Sequence, residues 1–220
     1  MATWLSMVNT LQKRLRETQT ASVTTTTYST LLGELINQAK REVEDEWDWH
    51  ALRTVLSITT SNGVADYVVT GSNERARFFS PNREIYDDTN DAILTPAPDW
   101  FIDRLTYIGT TQTGGPVYYR MRGITSGELQ MTLWDTPDGA YTIRVPMVVP
   151  QADLADDSTT ILTVPEVPVV LRAYVLALQE RGEDGGDAIA MAEARAQDAL
   201  FSAVAMDRDF NPDETFASLG

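Results

Sequence analysis

The residues best suited to chemistry gather in one stretch, "VEDEWDWHAL", Val43–Leu52, which carries four acids, Trp47, Trp49 and the only histidine of the 220-residue chain. Flanked by Asp48 and Glu46, His50 is the one candidate for general acid–base work by an imidazole, while Glu42, Glu44, Asp45 and Glu46 offer a paired-carboxylate site and Glu46 with Asp48 the acids of a hydrolase. Nucleophilic constellations need a second member beside the histidine, and the chain has no cysteine, which removes thiol nucleophiles, thiolate zinc sites and disulfides. Beside these readings stands a plainer one. A histidine at a helix end beside two indoles packs, and acids in a helical run such as Glu42, Glu44, Asp45 and Glu46 form a solvated face.

Two further clusters invite the same comparison. "YDDTND" offers Asp87, Asp88 and Asp91 as oxygen ligands, but the glycine and distal glutamate of a calcium loop are missing, so a hairpin turn closed by Asx hydrogen bonds is the better reading. "GEDGG" lacks the lysine and Ser/Thr of a phosphate-binding loop. No cofactor is predicted, and no enzyme signature emerges.

These residues sit in a clear order of elements. Thr3 caps a first helix with Trp4, Met7, Val8, Leu11 and Leu15 on one stripe. "TASVTTTT" reads as a connector, and a second helix from near Ser29 carries Leu31, Leu32, Leu35, Ile36, Ala39, Val43 and Trp47 at helical spacing. Running it through Trp49 would put two indoles on opposite edges of its apolar arc. The helix should therefore stop near Asp48, with Trp47 and Trp49 wedging it against the sheet that follows.

"RTVLSITTSNGVADYVVT" predicts a β-hairpin with Asn62 and Gly63 at positive φ. "RARFFS", "REIYDDTNDAILTP", "PVYYRMRGI", "GELQMTLWDTP" and "AYTIRVPMVVP" read as further strands of a mostly antiparallel sheet, with "TPDGA" as a tight hairpin turn. "PDWFIDRLTY" reads as one or two helical turns begun by Pro98 or Asp99. Pro165 or Pro168 opens a helix apolar nearly all round from Val169 to Leu178, a central position in the helical layer, and Gly182 ends it. A last helix, from about Asp187 to Met206, puts Ile189, Ala192, Ala196, Leu200, Ala203 and Val204 on one small-residue seam.

The predicted fold class is α+β: a four-helix bundle made by residues 1–50 and 165–206, an inserted β domain over 51–164, and an extended C-terminal arm over 207–220. No apolar run approaches the roughly 20 residues needed to span a bilayer, and the amino terminus lacks the basic-then-apolar order of a signal peptide, so neither membrane insertion nor export is expected. Thirty-two acids against seventeen bases give a net charge of −15. Such a field repels nucleic acid and argues against sequence-reading DNA binding, while suiting a wall along which DNA slides without sticking.

Four stretches, taken together, carry a family resemblance: "LLGELINQAKREVEDEWDWHALRTVLSITTSNGVADYVV", "REIYDDTNDAILTPAPDWFIDRL", "LQMTLWDTPDGAYTIRVPMVVPQADLADD" and "VPEVPVVLRAYVLALQERGEDGGDAIAMAEARAQDAL". In this order they resemble the head-to-tail adaptor (connector) proteins of tailed bacteriophages, in the group that includes the tail tubular protein A of short-tailed phages. The resemblance implies a non-enzymatic virion protein of the neck or tail, assembled in the host cytoplasm. It implies a homo-oligomeric ring of twelve copies below the portal protein, extending the DNA channel and offering a platform to the tail nozzle or tail-tube protein. A head-completion stopper or another tail-tube component is the nearest alternative. On the same precedent Phe210, Pro212 and Phe216 of the arm are assigned to contact with the portal or a neighbouring subunit. Glu42, Glu44, Asp45 and Glu46 are candidate acids of the channel wall.

Overall fold

The structure is a computed structural model and describes residues 2–79, 83–109, 112–182 and 187–209. It is α+β, with five α-helices and a mostly antiparallel sheet among the described residues, and the chain divides into two compact units, Met1–Leu52 with Gln151–Gly220, and Arg53–Pro150. Phe210, Pro212 and Phe216 lie outside the described residues.

In the first unit, α1 (Trp4–Arg14) and α2 (Thr27–Glu46) each begin with a reciprocal capping box: Thr3 with Ser6, and Thr26 with Ser29. The start of α2 thus falls inside the threonine run, because a threonine followed three residues later by serine can satisfy two orphan N–H groups. The stripe of α1 is buried as its spacing predicts, with Met7, Val8 and Leu11 fully inaccessible. Gly33 is what lets Trp4 lie on α2. A Cβ there would stand 2.6 Å from Val23 and 2.7 Å from the Trp4 ring, and the Trp4 indole N–H donates to the Gly33 carbonyl at 3.2 Å.

Helix α4 (Glu166–Glu180) packs against α1, α2 and α5 (Asp187–Arg208), the central place its all-round apolar sequence requires. It starts after Pro165, and Gly182 follows its end at φ 69°, a conformation that costs glycine little. In α5 the small-residue seam is buried at Ile189, Ala192 and Ala196 and half-buried at Leu200, Ala203 and Val204.

The second unit is built on a seven-stranded sheet. Its strands are β1 (Arg53–Thr59), β2 (Asp66–Val68), β3 (Ile85–Asp87), β4 (Ala92–Pro96), β6 (Tyr118–Thr125), β7 (Glu128–Trp134) and β9 (Thr142–Val148), in the order β1-β9-β3-β4-β6-β7-β2. Two short strands, β5 (Thr113–Gly114) and β8 (Thr136–Pro137), pair separately. Inside the main sheet only β4 and β6 run parallel. A parallel pair needs a crossover, and α3 (Asp99–Ile108) lies on the connection between the two. The core is Ile58, Val69, Ile85, Leu94, Tyr119, Met131, Leu133, Ile143, Val145 and Met147.

Three predicted strand features are corrected. The "SNG" segment closes no hairpin, since β1 pairs with β9 and β2 with β7; of its residues only Gly63 has positive φ. "TPDGA" likewise joins β7 to β9, which are not neighbours. The two turns instead bond to each other beyond the β1–β9 ladder: Gly63 N–H donates to the Pro137 carbonyl at 2.8 Å, and the Thr60 hydroxyl donates to the Gly139 carbonyl at 2.8 Å. Among its described residues, 75–79, "RARFFS" shows no strand, only a single bridge from Arg77 to Val148.

Candidate interaction surfaces

Four polar residues of α2 share one face at i, i+3, i+4 and i+7, and all four hold the segment that follows Pro150. Asn37 pairs with Leu154 as a strand would, donating to its carbonyl at 3.0 Å and accepting its N–H at 2.9 Å. The Arg41 guanidinium makes a forked contact with Asp153 at 2.9 and 2.6 Å. Between these, Lys40 and Glu44 form an ion pair of 3.1 Å with both side chains fully buried. Lys40 Nζ also donates to the Gln151 carbonyl at 2.7 Å, and Glu44 accepts the Gln151 N–H at 3.2 Å. A buried charge pair is tolerable only when its other bonding positions are filled, and Gln151 helps to fill them.

This removes Glu44 from the candidate acids of a channel wall, because a buried, paired carboxylate presents no charge to solvent. Glu42 is half-buried, accepting from Arg172 of α4 at 2.5 Å and from Gln38 at 3.1 Å. Asp45 and Glu46 are exposed.

Helix α2 ends at Glu46, with Trp47 as an extended cap. Trp49 is buried and donates its indole N–H to the Val43 carbonyl at 2.7 Å. Trp47 donates to the Asp207 carboxylate at 2.9 Å, and the same carboxylate accepts the His50 backbone N–H at 3.0 Å. Both indole bonds therefore lie within the helical unit. Asp207, placed by its sequence at the start of an arm, belongs to the last turn of α5 and ties that turn to the end of α2. His50 is exposed and begins a short 3-10 turn, His50–Leu52.

The acids of "YDDTND" close the β3–β4 turn. Asp87 is buried, and its oxygens accept from the Thr89 N–H at 3.0 Å, the Asn90 N–H at 3.3 Å and the Asn90 side-chain amide at 2.7 Å. Asp88 pairs with Arg144 at 2.7 Å, which holds its carboxyl below the usual carboxylate range.

Both units leave large apolar side chains exposed. On α3 only Ile102 is buried, and the helix is fixed by Arg120 with Asp103 at 2.7 Å and by Phe101 edge-on to Tyr118. Trp100, Arg104, Tyr107 and Ile108 fall on its exposed side at i, i+4, i+7 and i+8, with Tyr107 and Ile108 each at least 80% accessible. In the helical unit, the last turns of α2, the first half of α4 and the middle of α5 border a groove. Val43, Pro168, Ala196, Leu200 and Phe201 give it apolar walls, and Glu46 and Glu193 stand among its acids.

Polar groups here hold the chain together, and large apolar side chains are left outside, the kind of surface that contacts other proteins. The comparison with known families agrees. Residues 2–215 match the SU10 adaptor protein family, and the chain belongs to that family. It is accordingly a phage adaptor, as the resemblance of the four sequence stretches implies. No curated protein matches the chain.

Proposed function

We propose that this chain is the subunit of a closed ring, of twelve copies, that binds below the portal, extends the DNA channel into the tail and carries the nozzle or tail-tube protein. It performs no turnover. Its helices α1, α2, α4 and α5 act as a four-helix bundle with the β domain inserted between α2 and α4. The arm beyond α5 reaches the portal or a neighbour through Phe210, Pro212 and Phe216. Trp47 and Trp49 brace the end of α2 within the helical unit.

The observation that supports this reading is the outer face of α5, where Met191, Phe201 and Met206 are 56, 66 and 68% accessible. A lone protomer gains nothing from these side chains in water, whereas a ring buries them between copies. The net charge of −15 suits a passage that repels duplex DNA, and the exposed Asp45 and half-buried Glu42 are its wall candidates at the end of α2. Glu42, Asp45 and Glu46 also border the groove of the helical unit. Native mass spectrometry of the portal titrated with this chain tests the proposal: a stepwise gain ending at a fixed number of copies is expected, and no gain at any ratio would refute it.

A further inference from the structure

The groove of the helical unit joins apolar walls to Glu42, Asp45, Glu46 and Glu193, of which Glu42 is paired with the lining residue Arg172, so its balance is acidic, and one other part of the same unit is its chemical complement. Lys13, Arg14 and Arg16 cluster, all exposed, at the end of α1. That end lies beside the first turn of α2 and the last turn of α4, because Arg181 donates both to Glu17 and to the Tyr28 hydroxyl, and stacks on the Tyr28 ring at 5.3 Å. The groove is at the other end of α2, bordered by Glu42, Val43 and Glu46. Twenty residues of helix at 1.5 Å rise put about 30 Å between the two ends. The basic cluster cannot reach the groove of its own chain.

We propose that the groove receives the basic end of α1 from a second copy of this chain. The long aliphatic stems of Lys13, Arg14 and Arg16 cover Leu200 and Phe201, the exposed Phe201 ring accepts a guanidinium over its face, and the charged heads reach Glu46 and Glu193. Because different patches of each copy meet, the contact is head-to-tail and repeats from copy to copy, which is the kind that closes rings. The inference deepens the ring reading and rests on it.

The chain's lack of cysteine makes a clean test. Thr18→Cys beside the basic cluster and Gln197→Cys on the groove wall replace exposed residues and leave every charge in place. Mixed under mild oxidation, on the portal and free, the two variants are expected to give hetero-disulfides several-fold above either homo-disulfide. Adding K13E, R14E and R16E to the Thr18→Cys chain removes them, and adding E46K and E193K to the Gln197→Cys chain then restores them. Homo-disulfides equal to hetero-disulfides, or no rescue by the charge exchange, overturn the proposal. Rings that form without the hetero-disulfide sink this contact and leave the ring reading intact, whereas hetero-disulfides without rings do the reverse. If E46K with E193K blocks portal binding while copies still pair normally, the groove belongs to another protein and the proposal is wrong.

Discussion

Replacing Lys40 by methionine removes the cation from a fully buried pair and leaves Glu44 with a buried negative charge that has lost the ammonium at 3.1 Å, while the Gln151 N–H still donates to it. The Gln151 carbonyl loses its donor in the same step. Breaking one side of a buried ion pair costs about 3–5 kcal/mol, a large fraction of the 5–15 kcal/mol that holds a typical domain together. The neighbouring Arg41–Asp153 pair is the internal control: its side chains are 48 and 49% accessible, and such a pair is worth about 0–1 kcal/mol. Lys40→Met should therefore lower the urea midpoint of the helical unit far more than Arg41→Met. The double change Lys40→Met with Glu44→Leu should recover part of the loss but not all. The Gln151 N–H and carbonyl would still lack partners, at about 1–3 kcal/mol for each unsatisfied group. Helical circular dichroism, which comes mostly from α1, α2, α4 and α5 of the helical unit, follows the transition. Equal midpoints for the two single variants, or full recovery in the double, would refute this account of the clasp.

Gly33→Ala should destabilise by about 1–3 kcal/mol despite alanine's better helix propensity, because its Cβ strikes Val23 and Trp4; calorimetry reads the shift in Tm. Asp207→Ala should lower the melting temperature of the helical unit, whereas truncation after Asp209 should leave it unchanged, since the Trp47 and His50 bonds end at Asp207. Burial pushes the Tyr119 hydroxyl up to about 12, so its neutral form stabilises the sheet fully below the ordinary tyrosine value near 10; that contribution fades as pH rises from there through 12. Tyr119→Phe should flatten the alkaline limb of a melting-temperature profile. Trp100→Ala with Tyr107→Ala should leave stability within about 0.5 kcal/mol, both being exposed, yet weaken any partner that uses the face of α3, as a binding assay against the portal and tail proteins would read.

The helices were legible where apolar spacing and caps coincide: Thr3, Pro98, Pro165 and Gly182 mark ends that the structure places at or within a residue of them. The start of α2 was hidden because a β-branched run disguises its capping box. Strand positions followed from alternation, but pairing did not. "SNG" and "TPDGA" are good turns that happen to lie side by side, and local turn chemistry carries no record of which distant strand each segment joins. The clasp was invisible for a different reason. Lys40 and Glu44 look like a solvated helical face, and only the return of residues 151–154 over them, 107 to 117 positions later in the hydrogen-bonded pairs, turns that face inward. Asp207 was missed likewise, as one acid among many near a chain end. The α3 face was in plain view as "DWFIDRLTY", yet an apolar helix reads as core until the neighbours that fail to cover it are known.

Cryo-electron microscopy of this chain bound to its portal tests the central claim most directly. A closed ring of copies around an axial opening, with α1 of each copy set against α5 of the next, is the predicted result. Separate copies bound without mutual contact, or a filled centre through which no duplex could pass, would contradict it.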